Sequence, residues 1–167
     1  MIEKTFITED YIKKYTPLSQ NISAKDIYSN VLVASDLHTQ PLLGTNFYNY
    51  LLTKYDNKTL SDDEIKLVEY IQPSLAYRSA SMTLPFLNFQ IKNKGIQTQN
   101  GDNSDSVDKS VVSYLKNELD NRAEFYEKRL INYLCDNKDL YPNYTDGNDD
   151  DIEPKNDNPY TGGFTFY

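Results

Sequence analysis

The chain has 167 residues, a formal net charge of −8, a single cysteine, a single histidine and no tryptophan. That length suits one domain; a lone Cys135 excludes an internal disulfide, and with only His38 beside it no Cys/His zinc set can form. The longest apolar runs are a few residues, too short to span a membrane, and Met1-Ile-Glu-Lys-Thr lacks the basic start and apolar stretch of a signal peptide.

The charge is unevenly placed. Residues 1–135 carry 17 acids and 15 bases, whereas residues 136–167 carry eight acids and two lysines. No Lys/Arg stripe in the body could neutralise a row of phosphates, so sequence-independent nucleic-acid binding is not expected, nor is a sequence-specific nucleic-acid partner, although DNA could pass such a surface without adhering. Fifteen tyrosines are the compositional outlier. They fit interface surfaces, which favour an apolar ring carrying a hydroxyl, and they fit equally the Asn/Lys/Tyr bias of an AT-rich genome.

Taken in order, the elements are helical. Thr8 caps a first short helix with Tyr11, Ile12 and Tyr15 on its buried side, ended by Thr16-Pro17. Ser23, with Asp26 three residues on, opens a second helix whose Ile27, Val31, Ala34 and His38 recur every three or four residues, and Gln40-Pro41 should stop it. Pro41, Leu42, Leu43, Gly44 and Thr45 form a compact link in which Gly44 takes positive φ. Thr45 is then the cap of a third helix bearing Phe47, Tyr48, Leu51, Leu52 and Tyr55. Asp56-Asn57-Lys58 reads as a turn. Ser61 and Glu64 make a capping box for a fourth helix carrying Ile65, Val68 and Ile71.

Pro73 should interrupt that helix and start another over 73–91, with Leu75, Met82, Leu84, Phe86, Leu87 and Ile91 in the core and a kink at Pro85. Residues 92–108 read as a long loop or hairpin, with turns at Gly95 and Asn100-Gly101 and a short strand near Ile96. A final helix from about Asp105 to Leu134 follows, with Val111, Val112, Leu115, Leu119, Ala123, Tyr126, Leu130, Tyr133 and Leu134 spaced by three or four. The expected fold class is all-α: a small helical bundle, residues 1–136, with one long C-terminal helix and an extended acidic tail, residues 137–167.

Chemistry has few candidates. His38 lies on an apolar face or last turn and reads as structural, and Cys135 trails a core helix without an activating partner. Asp149-Asp150-Asp151 and Glu153 offer carboxylates but not the ligand order of an EF-hand, so they read as a solvated acidic spacer. No catalytic, metal or cofactor site is expected. The tail cannot build its own core. Its ending, with Tyr160, Phe164, Phe166 and Tyr167, alternates as a strand that could pair with a partner's sheet edge or seat rings in its pockets.

Phe6-Ile-Thr-Glu-Asp-Tyr-Ile-Lys-Lys-Tyr-Thr-Pro17, Gln40-Pro-Leu-Leu-Gly-Thr45, Pro73-Ser-Leu-Ala-Tyr77 and Asn93-Lys-Gly-Ile96 together resemble small virion proteins of Bacteroidetes phages, the crAss-like phages among them. More distantly, the helical body with its Pro-Leu-Leu-Gly link resembles head-to-tail adaptor (connector) proteins of tailed bacteriophages. That resemblance implies a structural virion protein at the head-tail interface, assembled in the host cytoplasm as a homo-oligomeric ring of about twelve copies around the DNA channel. It further implies a portal protein and a tail or second ring protein as partners, without enzymatic activity and without a membrane. Ile96 and the four tail aromatics are then the interface candidates, and Pro41 to Thr45 the structural link. The alternative is a monomeric acidic decoy that binds a basic host protein through Asp146 to Asp157. A small hydrolase centred on His38 is the least favoured reading.

Overall fold

The computed structural model describes residues 4–92, 95–98, 108–145 and 151–154. Helix α1, Glu9–Tyr15, begins where the Thr8 side chain accepts the Tyr11 N–H, and ends where the Thr16 hydroxyl donates back to the Ile12 carbonyl (2.7 Å) ahead of Pro17. Ile12 is buried and Tyr11 partly so. Tyr15, expected in the core, is half exposed and lies against the Tyr11 ring instead.

Helix α2, Ala24–Ala34, is capped by Ser23, whose hydroxyl accepts from the Lys25 amide, and it buries Ile27, Val31 and Ala34 as their spacing requires. It does not stop at Gln40-Pro41. A five-residue π turn, Ser35–Thr39, widens the helix, and α3, Gln40–Leu43, continues through Pro41. A proline inside an α-helix lacks a donor and presses on the carbonyl four residues back; a wide turn just before it opens the space and relieves both problems. The turn is anchored from outside by Tyr48, whose hydroxyl lies 2.7 Å from the buried Ser35 hydroxyl.

Gly44 then reverses the chain at φ 78°, ψ 150°, a conformation open in practice to glycine alone. Thr45 is the first residue of α4, Thr45–Asn57, rather than its side-chain cap. Its hydroxyl accepts from Gln40 Nε2 and from the Ile152 amide, and its own N–H donates to the Ile152 carbonyl (3.0 Å). Phe47, Tyr48 and Leu51 are buried. The turn expected at Asp56-Asn57-Lys58 is shifted: Asp56 and Asn57 stay helical, and Lys58 closes the helix in the left-handed region.

The capping box forms as the sequence requires. The Ser61 amide donates to Glu64 Oε2 (2.7 Å), and the Glu64 amide donates to Ser61 Oγ (3.3 Å). Helix α5, Asp62–Asn88, then runs for 27 residues without a break at Pro73 or Pro85. Pro73 lines a surface cleft, and Pro85 lies in the last turn before the chain becomes extended. Leu67, Val68, Ile71, Leu75, Ala76 and Ala80 are buried, but Ile65 and Phe86 face outward. The hydroxyls of Ser79 and Thr83 donate to the carbonyls four residues back (2.7 Å each), so small polar residues bury without losing a partner.

Strands β1, Phe89–Lys92, and β2, Gly95–Thr98, form an antiparallel ribbon with Phe89 opposite Thr98 and Ile91 opposite Ile96. Gly95 starts a strand rather than making a turn, and Ile91 belongs to the ribbon instead of a helix. The turns expected at Asn100-Gly101 lie outside the described residues. Helix α6, Lys109–Asp136, is capped by Asp108 and is about 42 Å long at ~1.5 Å per residue. It runs antiparallel to α5: Tyr70 meets Tyr133, Tyr77 meets Tyr126, and Ser81 meets Asp120. Val112, Leu119, Ala123, Leu130 and Leu134 are buried, whereas Val111 and Leu115 are exposed. The protein is thus an all-α bundle in which α5 is the central helix, flanked by α6 and by the α2–α3 arm.

The core does not end at the 136/137 boundary that the composition suggests. After a 3-10 turn, Lys138–Leu140, and helix α7, Pro142–Thr145, Tyr141 and Tyr144 are almost completely buried against Phe47. Two rings of this size supply enough apolar area to order an otherwise polar segment. The remainder of the tail, apart from residues 151–154, lies outside the described residues.

Candidate interaction surface

Three features on α5 and α6 stand out chemically. The first is a charged clamp centred on Arg78. Its guanidinium donates Nε to Glu127 Oε1 (2.7 Å), Nη2 to Glu127 Oε2 (2.9 Å) and Nη1 to Asp120 Oδ1 (3.1 Å). Asp120 also accepts from Ser81 Oγ (2.7 Å) and Lys116 Nζ (2.6 Å). The planar fork suits bidentate pairing, and the short bonds have charge on both partners. Hydrogen bonds to Glu127 raise the Arg78 pKa. Burial pushes the Asp120 carboxyl up, but Lys116, Ser81 and Arg78 together outweigh it and hold the group below its ordinary range.

His38 joins the edge of this cluster, with Nδ1 3.9 Å from Glu127 Oε1. Burial first, and then the neighbouring Arg78 charge, lower its pKa, so it is neutral at pH 7. It therefore does not carry the positive charge that a helix C-terminus would favour. Similar reasoning applies to the start of α5. Burial raises the Glu64 carboxyl, but Lys54, the Ser61 amide and the Tyr50 hydroxyl hold it down.

The second feature is an aromatic strip along the α5–α6 seam. Tyr70 stacks on Tyr133 with centroids 4.2 Å apart and planes 10° apart; Tyr77 stacks on Tyr126 at 5.7 Å and 7°. Arg129 lies over Tyr70, Phe125 and Tyr126 at 5.5–6.0 Å, Arg122 over Tyr77 at 5.9 Å, and Lys66 over Tyr133 at 5.5 Å. Two open clefts, of about 280 and 410 Å³, share Tyr126 in their linings.

The third feature is an apolar end. Phe86 is 54% exposed near the end of α5, and Tyr114 is 63% exposed near the start of α6, with Val111 and Leu115 exposed beside it at helical spacing. Because the helices are antiparallel, these four share the end of the bundle from which the β-ribbon extends. Ile96, the one described member of the expected interface set, is on that ribbon. Tyr160, Phe164, Phe166 and Tyr167 lie outside the described residues. Pro41, Leu42, Leu43, Gly44 and Thr45 are brought together as the reversal between α3 and α4, with Leu42 and Leu43 in the core.

Sequence reasoning missed both the clamp and the strip. One signal was present: Arg78 is the single charged residue between Tyr70 and Gln90, and Asp120 and Glu127 are seven residues apart, hence on one face of their helix. Among the described residues, no group of three or more His, Cys, Asp or Glu side chains could hold a metal ion, and no helix is long and apolar enough to cross a membrane. Cys135 is a free, partly buried thiol.

Fold and surface together define a helical-bundle protein whose most distinctive chemistry lies on the outside of one antiparallel helix pair. Residues 39–152 match a family of unknown function, DUF6712, and the protein belongs to that family. The matched stretch runs from the π turn through the link, α5, the ribbon, α6 and the buried Tyr141 and Tyr144, and stops before the tail aromatics. No curated protein and no solved structure matches the chain.

Proposed function

We propose that this protein is a structural virion subunit, a head-to-tail connector that assembles as a closed ring between the portal and the tail and surrounds the DNA channel. The phage assignment comes from the resemblance of its sequence motifs to small virion proteins and connector proteins. The observation that carries assembly is the apolar end formed by Phe86, Val111, Tyr114 and Leu115, large side chains left outward on rigid helices. A closed ring needs two different faces on each subunit, and the long antiparallel pair with its projecting ribbon offers them. Ile96 on that ribbon and the tail aromatics Tyr160, Phe164, Phe166 and Tyr167 are the remaining contact residues of this reading.

The test is the native mass of the full chain, alone and mixed with the portal of the same virus, for the unaltered protein and for Tyr114→Ser with Leu115→Ser. A ring alone or with portal, lost in the double variant while its helical circular dichroism persists, is the expected result. A monomer under both conditions overturns the proposal. Salt-sensitive binding of that monomer to a basic protein would instead favour the acidic decoy.

A further inference from the structure

We infer that the outer face of α6 is the docking site for the same face of a second copy, the two helices lying antiparallel about a two-fold axis at the level of residue 120. Such a pair does not depend on the ring. A two-fold contact closes on two copies, so it is the form of the chain before it meets a portal, and it covers Val111 and Leu115, which the ring would use.

Helix α6 carries two seams. Val112, Leu119, Ala123, Leu130 and Leu134 form the buried one, and among the described elements α6 packs extensively against α5 alone. On the outward side Val111, Leu115, Glu118, Arg122, Phe125 and Arg129 follow at alternating steps of four and three, the spacing of a seam that meets another helix. Val111 and Leu115 are each 44% exposed and Phe125 is 58% exposed; Arg122 and Arg129 are exposed and Glu118 is half-buried. The seam is about 27 Å long at ~1.5 Å per residue.

The order of these six residues selects both the occupant and its direction. Glu118 and Arg122 stand at equal distances on either side of residue 120, and so do Leu115 and Phe125, and Val111 and Arg129. A second copy running the opposite way therefore sets its Arg122 against Glu118, its Phe125 against Leu115 and the apolar stem of its Arg129 against Val111, each contact made twice. A parallel pair would place Glu118 on Glu118 and each arginine on itself, three layers of like charge. Within one copy Glu118 and Arg122 stand one turn apart and form no ion pair with each other; Arg122 lies over the Tyr77 ring. With one acid and two bases, the seam also escapes the net charge of −8 that would hold two copies apart elsewhere.

The experiment is sedimentation equilibrium of the full chain over a concentration series, for the unaltered protein, Glu118→Arg, Arg122→Glu and the two substitutions together, each with unchanged helical circular dichroism. A monomer–dimer equilibrium is expected. Each single reversal puts two like-charged contacts into the dimer and should raise its dissociation constant by roughly tenfold or more. The exchanged pair should return it to within a few-fold of the unaltered protein. Direction is tested in a Cys135→Ser background by mixing Leu115→Cys with Phe125→Cys under mild oxidation. The facing positions should join between copies, whereas identical positions lie about 15 Å apart along the axis, beyond disulfide reach. A chain that is monomeric at every concentration or forms only larger rings, a dimer indifferent to the single reversals, an exchanged pair no better than either reversal, or disulfides between identical positions in preference to mixed ones would overturn the pairing.

Discussion

Replacing Arg78 with methionine tests the clamp, because methionine keeps a flexible packed stem and removes the charge and all five donors. The Arg78 side chain is only 11% exposed, and its loss leaves Glu127 without either of its short hydrogen bonds. Asp120 keeps Ser81 and Lys116. Removing one partner of a buried pair costs about 3–5 kcal/mol; partial exposure of the carboxylates and the surviving partners of Asp120 put this case near the lower end, about 3 kcal/mol. At ~2–4 °C per kcal/mol for a chain of this size, Tm should fall by roughly 10 °C. Urea unfolding followed by circular dichroism should show a lower midpoint with unchanged slope. His38 gives the pH signature. In the native protein its depressed pKa means that stability falls as pH drops through that pKa. In Arg78→Met burial still opposes the charge, but the repelling guanidinium is gone and the imidazolium can pair with Glu127, so protonation costs the fold less. The gap between the two proteins should therefore narrow on acidification through the histidine range, and Glu127→Leu in the same background should recover much of the loss. A cost under about 1 kcal/mol, or a gap constant with pH, would refute the reasoning.

The two buried tail tyrosines should behave oppositely. The Tyr144 hydroxyl has no hydrogen-bond partner among the described residues, so Tyr144→Phe should be neutral or stabilise by about 1 kcal/mol. Tyr141 donates to the Asp63 carbonyl (2.8 Å) and meets the Tyr133 hydroxyl (2.9 Å), so Tyr141→Phe should cost about 1–2 kcal/mol; the reverse order of urea midpoints would contradict this. Burial pushes the Tyr144 phenol up to about 12 and raises Tyr141 as well. Their contribution is then complete below the ordinary tyrosine pKa and disappears as pH climbs through the folded values, so alkaline unfolding monitored by tyrosinate absorbance should be shallower in Tyr144→Phe. Gly44→Ala forces a β-carbon into the φ 78°, ψ 150° region and should cost about 1–3 kcal/mol in thermal unfolding; an unchanged Tm would mean that the reversal relaxes.

Local signals in the sequence were read well because they act within a few residues. The Thr8 and Ser23 caps and the Ser61-Glu64 box form where the side chains allow, and the three-four spacing of Ile27, Val31 and Ala34 marks a true buried face. The prolines misled because their cost depends on surroundings. Pro41 is preceded by a wide turn, Pro73 lies on a water-facing cleft and Pro85 is one turn from the helix end, so none of them ends a helix where it stands. Tyr141 and Tyr144 were hidden by the acidic composition around them, although both rings are almost completely buried. The clamp is a tertiary product of two helices passing in opposite directions, legible only as a lone Arg78 and a pair of acids seven residues apart.

The wide turn at residues 35–39 also constrains how the chain can vary. The surplus residue there sets the following residues back by about 100° relative to a continuous α-helix of the same sequence, and in that phase Leu42 and Leu43 face inward ahead of the reversal at Gly44. A single-residue deletion within the turn would restore an ordinary helix with the following segment still in phase, whereas a deletion in the regular helix on either side would rotate that segment by about 100° against the core. The same deletion in the surface connection between α4 and α5 would only shorten a loop. Residues 35–39 are thus where this helix can lose a residue and keep its phase.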